Sequence, residues 1–220
     1  MSIHENLRAI RSELPSGTRL VAISKTKPAE AILEAYQAGQ RVFGENKALE
    51  MAEKHLVLPS DIEWHFVGHL QTNKVKYIAP FVNLIHSVDS LKLLAEIDRE
   101  GKKINRVISC LLQFHIAAEA TKFGLSEEEA GAILKSETFR AFRNIRVTGV
   151  MGMATFTDNA GQVRLEFRKL RKIFMNLKSE FFADSQGFKE ISMGMSDDFP
   201  IAIEEGSTLV RIGSLIFGER

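Results

Sequence analysis

Arg19-Leu20-Val21-Ala22-Ile23-Ser24-Lys25-Thr26-Lys27-Pro28 joins an apolar run to a lysine-bearing turn, and its proline is suited to the first position of a helix. The stretch is a strand feeding a helix, and the same unit recurs along the chain. Strands are expected at Arg19–Ser24, Arg41–Phe43, Ile62–Val67, Leu84–Ser87, Arg106–Phe114, Arg146–Met151, Lys189–Met193 and Leu209–Gly213. Helices are expected between them at Pro28–Ala38, Asn46–Leu56, Thr72–Ile78, Ser90–Glu100, Ser126–Leu134, Gly161–Phe182 and Asp198–Glu205. The amphipathic segment Ile3–Leu14, with Ile3, Leu7, Ile10 and Leu14 on one stripe, fills the remaining helical place from the N-terminus. No glycine-rich dinucleotide fingerprint marks the switch point of an open sheet. The expected fold is therefore an α/β (β/α)₈ barrel.

Composition fits one such barrel. With 220 residues and 45% hydrophobic content, a single domain over residues 1–220 is expected. Positive and negative side chains nearly cancel, 29 against 28, and neither sign is concentrated, so neither nucleic acid nor a membrane surface is an expected partner. Cys110 is the only cysteine, which rules out an intrachain disulfide, and the N-terminus lacks the pattern of a signal peptide. No apolar run is long enough to cross a bilayer. A cytoplasmic location is expected.

Barrel active sites lie at the carboxyl ends of the strands. Lys25, Gly44-Glu45-Asn46, Gly68-His69, His86-Ser87, Met151-Gly152-Met153, Met193-Gly194-Met195-Ser196 and Arg211-Ile212-Gly213-Ser214 all fall there. Lys25 faces the positive end of a helix dipole and has Lys27 nearby, two effects that disfavour its own charge. A lysine held neutral is a nucleophile toward aldehydes. The last two turns combine glycine and serine at the usual phosphate position of barrels, although Ser196 also suits a cap for the helix opening at Asp197-Asp198. Arg211 lies in an apolar strand and needs a partner, either a carboxylate such as Glu45 or an unprotonated ring nitrogen of a ligand.

Other candidates are weaker. The two Met-Gly-Met turns offer polarizable walls or core filler. His65 and His69 have a spacing found in zinc sites, but a strand followed by a turn does not bring them to one face, and no metal is expected. His86 suits either an interior or a functional role, and Cys110 suits a buried hydrophobe. No Gly-x-Ser-x-Gly elbow for acyl transfer is present.

An amine, an anion pocket and a ring-nitrogen arginine form the set that holds pyridoxal 5′-phosphate as a Schiff base. Val21-Ala22-Ile23-Ser24-Lys25-Thr26-Lys27-Pro28, Phe43-Gly44-Glu45-Asn46, Trp64-His65-Phe66-Val67-Gly68-His69 and Gly149-Val150-Met151-Gly152-Met153-Ala154 resemble the YggS/PROSC family of pyridoxal phosphate homeostasis proteins. The segment from Ile191-Ser192-Met193-Gly194-Met195-Ser196 to Arg211-Ile212-Gly213-Ser214 does so too, and the resemblance runs nearly end to end. It implies a fold-type III barrel similar to the N-terminal domain of alanine racemase, without the second β domain, and with Lys25 as the aldimine lysine. It also implies Arg211 facing the pyridine nitrogen, Ser196, Gly213 and Ser214 on the phosphate, and Asn46 and Met193 beside the cofactor. Lys47-Ala48-Leu49 and His115 depart from the family pattern at the rim of the pocket.

The implied function is a non-catalytic, monomeric carrier that binds pyridoxal 5′-phosphate and passes it to apo forms of pyridoxal phosphate-dependent enzymes. Two alternatives are a weak amino-acid racemase with Lys25 as base and a Schiff-base aldolase acting on a phosphorylated sugar. Alanine-racemase-like enzymes take a second proton-transfer group from their additional β domain, for which no length is expected here.

Overall fold

A computed structural model describes residues 2–118 and 123–219. Its parallel strands are β1 (Arg19–Ile23), β2 (Val42–Glu45), β3 (Glu63–Phe66), β4 (Leu84–Val88), β5 (Ile108–Phe114), β6 (Ile145–Gly152), β7 (Glu190–Ser192) and β8 (Leu209–Ile212). They pair in chain order into a closed barrel, with β8 against β1 in the register Val21 to Arg211. That closure sets the Lys25 turn beside the turn that follows Arg211.

The surrounding helices are α1 (Ile3–Glu13), α2 (Ala29–Gln37), α3 (Ala48–Val57), α4 (Val75–Ile78), α5 (Leu91–Lys103), α6 (Glu127–Lys135), α7 (Glu137–Ala141), α8 (Ala160–Phe181), α9 (Phe199–Glu204) and α10 (Ser214–Phe217). Capping boxes start α1 at Ser2 and Glu5 and α6 at Ser126 and Glu129, satisfying backbone donors that have no partner within the helix. α1 takes the outer place expected of it, since Asn6 Nδ2 donates to the Ile216 carbonyl of α10 at 3.0 Å. Two short helices escape the sequence pattern. α10 has four residues, too few to show a period, and α7 is split from α6 by Ser136, which ends one helix and caps the other. Among the described residues no helix is long and apolar enough to cross a membrane.

Strand alternation divides the core into two shells. Val21, Val42, Leu84, Leu111, Met151 and Leu209 point into the barrel. Leu20, Ala22, Phe43, Trp64, Phe66, Val210 and Ile212 point outward, under helices such as α8, which buries Val163, Phe167, Leu170, Phe174 and Leu177 at helical spacing. The inner apolar cluster gives way to buried polar residues, His65, His86, Ser192 and Arg211.

Two glycines shape the rim. Gly194 turns the chain after β7 at φ 92°, where an added Cβ would also meet the Ala202 side chain at 2.6 Å. Gly68 lets the turn after β3 meet the turn after β2, because an added Cβ would lie 2.4 Å from the Asn46 carbonyl oxygen.

Candidate functional site

A cavity of about 540 Å³ opens at the carboxyl ends of the strands, lined by Lys25, Asn46, Arg211, Gly213, Ser214 and Ser196. Its apolar wall comes from Ile23, Val67, Phe123, Met153, Phe156 and Met195. Six sequence-predicted residues, from the carboxyl ends of four different strands, thus share one site.

Met193 does not join them. It is fully buried in the outer core, and its carbonyl accepts from Ser207 Oγ at 2.7 Å. The chain leaves the strand pattern at Gly194, where φ is 92°, so Met195, two residues later, lies in the lining instead, where part of the family-implied contact set had been assigned to Met193. Glu45 likewise is not the partner of Arg211. It points to the outer side of β2, accepting from Ser24 Oγ at 2.6 Å and from Lys54 Nζ at 2.7 Å. Burial raises its pKa, and the bonds from Lys54 and Ser24 oppose that rise.

Arg211 forms the base of the cavity and is buried, with Nη1 donating to Ser192 Oγ at 2.7 Å and Nη2 to the Gly152 carbonyl at 3.1 Å. Burial holds its pKa down to about 10, against the opposing charge of Asp198. Beyond it runs a polar chain: Ser192 Oγ is 2.8 Å from His86 Nδ1, and His86 Nε2 is 3.0 Å from His65 Nδ1. A guanidinium only donates, so the Ser192 hydroxyl, having accepted from Arg211, is free to give its proton to His86 Nδ1. His86 Nε2–H then donates to His65. Burial keeps both imidazoles neutral, lowering His65 to about 3, with Arg19 adding to the effect, and His86 well below its ordinary value, with His65 and Arg211 adding. Every bond in the chain therefore points away from the cavity, and Arg211 remains a fixed donor toward it.

The anion side is equally defined. Ser196 does not cap α9. Asp198 occupies that position, and its Oδ1 accepts from the Met195 N–H at 2.6 Å. Among the described residues the hydroxyls of Ser196 and Ser214 make no hydrogen bond to the protein, while both line the cavity. Gly213 between strand and helix brings its backbone close to β1, since an added Cβ would stand 3.1 Å from the Ile23 carbonyl oxygen. The Asn46 Oδ1 atom is buried without a partner, a polar group awaiting one from a ligand. Lys27 serves the fold, donating at 3.1 Å to each of the carbonyls of Phe217, Gly218 and Glu219.

The histidines separate as their strand positions require. His65 is inside the barrel, whereas His69 stands at the rim, stacked on Phe123 with ring centroids 4.5 Å apart and 3.6 Å from Asp89. Among the described residues no group of three or more His, Cys, Asp or Glu is placed to hold a metal. Cys110 is fully buried, and burial pushes its thiol up and away from reactivity. Phe123 and Phe156 carried no motif, and only the tertiary structure brings them to the lining of the cavity.

A donor-only arginine under the cavity, a primary amine, unengaged serine hydroxyls and an orphaned amide oxygen match the donors and acceptor that a phosphorylated pyridine aldehyde needs. Comparison with known proteins agrees. The family model for the alanine racemase N-terminal domain matches residues 1–220. The pyridoxal phosphate homeostasis protein of Aquifex aeolicus is 42% identical over 203 residues, covering 92% of this chain and 87% of the relative. That of Pongo abelii is 40% identical, covering 92% and 76%. The solved structure of PipY from Synechococcus elongatus with pyridoxal phosphate bound has 35% identity and a TM-score of 0.90, covering 99% of this chain and 100% of that one. Alanine racemase from Bartonella henselae shares the fold, with a TM-score of 0.71 at 16% identity over 99% of this chain and 60% of its own. By sequence match over its whole length, this chain belongs to the alanine racemase N-terminal domain family and, within it, to the pyridoxal phosphate homeostasis proteins.

Proposed function

We propose that this chain binds pyridoxal 5′-phosphate as a Schiff base on Lys25 and serves its intracellular homeostasis, holding a reactive aldehyde and releasing it to apoenzymes without a substrate reaction of its own. The observation that carries the reading is the convergence of Lys25, Arg211, Ser196 and Ser214 on one cavity. The cofactor supplies an aldehyde that condenses with a primary amine with loss of one water. Lys25 offers that amine from the turn after β1. Arg211, its donors fixed by Ser192 and the polar chain, faces an accepting ring nitrogen. Ser196 and Ser214 offer hydroxyls to phosphate oxygens across the cavity. The relatives' names describe cofactor homeostasis and no turnover, which favours a carrier over a racemase or an aldolase.

The test is reduction of the loaded protein with borohydride and peptide mapping. The expected adduct is on Lys25, and an adduct mainly on Lys27 or Lys74 would overturn the site. In parallel, loaded protein should restore activity to a cofactor-free pyridoxal phosphate enzyme and should exchange no α-proton of L- or D-alanine in deuterated water. Rapid Lys25-dependent exchange would establish the racemase instead.

A further inference from the structure

Lys25 is flanked by two residues that one buried ionic cluster holds in place. Lys54 Nζ donates to the Ser24 carbonyl at 2.8 Å, to Glu45 Oε1 at 2.7 Å and to Glu50 Oε1 at 2.7 Å. These three bonds use all of its protons. Glu45 Oε1 also accepts from Ser24 Oγ, and Glu50 Oε1 also accepts from the Thr26 N–H at 2.6 Å. Residues 24 and 26 are therefore tied to the same ammonium from opposite sides of Lys25.

Thr26 has φ 65°, in the left-handed region that a β-branched residue rarely enters. Such a conformation persists only where its surroundings over-determine it. Glu50 provides that restraint from α3, and Lys54, four residues along the same helix, fixes Glu50. Lys54 is only 8% exposed and Glu45 is fully buried, so the cluster carries a large desolvation cost. Barrel closure does not need it, because β2 keeps its backbone pairing with β1 and β3. Its specific output is the backbone geometry at residues 24–26. Buried ionic groups of this kind can specify one arrangement at the expense of stability.

We infer that Lys54 and Glu50 are positioning residues that hold the Thr26 turn in its left-handed conformation and thereby aim Lys25 into the cavity. This rests on the proposed role of Lys25 as the covalent lysine. Without the clamp, Thr26 relaxes to negative φ and the amine leaves its working direction, while the residues proposed for the phosphate and the ring, on β8 and in the turns after β7 and β8, are untouched.

The experiment separates covalent capture from ligand binding. Titration with pyridoxal 5′-phosphate measures the borohydride-trapped adduct, and titration with pyridoxine 5′-phosphate, which has no aldehyde, measures occupancy alone. Lys54→Met should reduce adduct formation about tenfold, equivalent to ~1.4 kcal/mol, with pyridoxine 5′-phosphate affinity unchanged. Thr26→Gly in the same background should restore roughly threefold or more of the loss, because glycine enters positive φ without a steric penalty. If Lys54→Met fails to fold, Glu50→Ala carries the test, since it removes the Thr26 acceptor and leaves the Lys54–Glu45 pair. Equal losses for both ligands, no loss of adduct, or no rescue by Thr26→Gly would overturn the inference while leaving Lys25 as the site. An adduct elsewhere in the wild type would overturn both readings.

Discussion

Arg211→Met separates what the buried guanidinium does for the barrel from what it does for the ligand. Burial holds its pKa down to about 10, which corresponds to roughly 3 kcal/mol of cost on the charged form. Neutral pH lies below both the folded and the unfolded value, so that cost is fully present there. Methionine removes the charge and keeps much of the volume. Against this gain, the Gly152 carbonyl loses the Arg211 donor, and a buried carbonyl left unpaired costs about 1–3 kcal/mol. Ser192 is not orphaned, because His86 Nδ1 remains within 2.8 Å. The terms nearly cancel, so urea denaturation of the cofactor-free variant should give a stability within about 2 kcal/mol of wild type. Pyridoxal 5′-phosphate, by contrast, loses a charge-assisted donor to its ring, worth about 1.5–3 kcal/mol. Its affinity should fall roughly 10- to 100-fold, and the absorption of the adduct should shift. A loss of more than about 4 kcal/mol in the cofactor-free protein, with affinity and spectrum unchanged, would show that Arg211 is there to hold the barrel and would refute the ring-donor role.

Ser196→Ala combined with Ser214→Ala should weaken pyridoxal 5′-phosphate by about 1.5–3 kcal/mol per lost bond and unphosphorylated pyridoxal little, as measured by parallel titrations; equal losses would assign the serines to the fold. Stability should also fall in mild acid. His65 is lowered to about 3 when folded, so the unfolded chain binds the extra proton between its ordinary value and that point, and stability present above pH 6.5 is lost as the pH falls. At pH 5 His65 alone should remove about 2 kcal/mol relative to pH 8, visible as a shifted urea midpoint, and a flat profile would contradict its neutral, buried state.

Much of this molecule is legible in one dimension because barrel geometry is periodic. Alternating apolar runs and amphipathic helices specify the βα order, and the rule that active residues follow strand ends places Lys25, Asn46, Ser196, Arg211, Gly213 and Ser214 on one face. Those are local properties: strand direction, turn position and the chemistry of single residues. The two closing turns meet the Lys25 turn because β8 pairs with β1, a contact between chain ends that the expectation of closure already contains. What the sequence could not settle were choices between neighbours on one pattern. Met193 and Met195 lie two residues apart in the same motif, and only the burial of Met193 in the outer core and the departure of the chain at Gly194 show which of them reaches the cavity. Glu45 was a plausible partner for Arg211 by charge alone, but it lies on the outer side of β2, where Lys54 of α3 claims it. The polar chain from Arg211 through Ser192 and His86 to His65 joins residues up to 146 positions apart by hydrogen bonds across the barrel interior. Partner choice in a core depends on distances between elements, and those exist only after the strands have closed on one another.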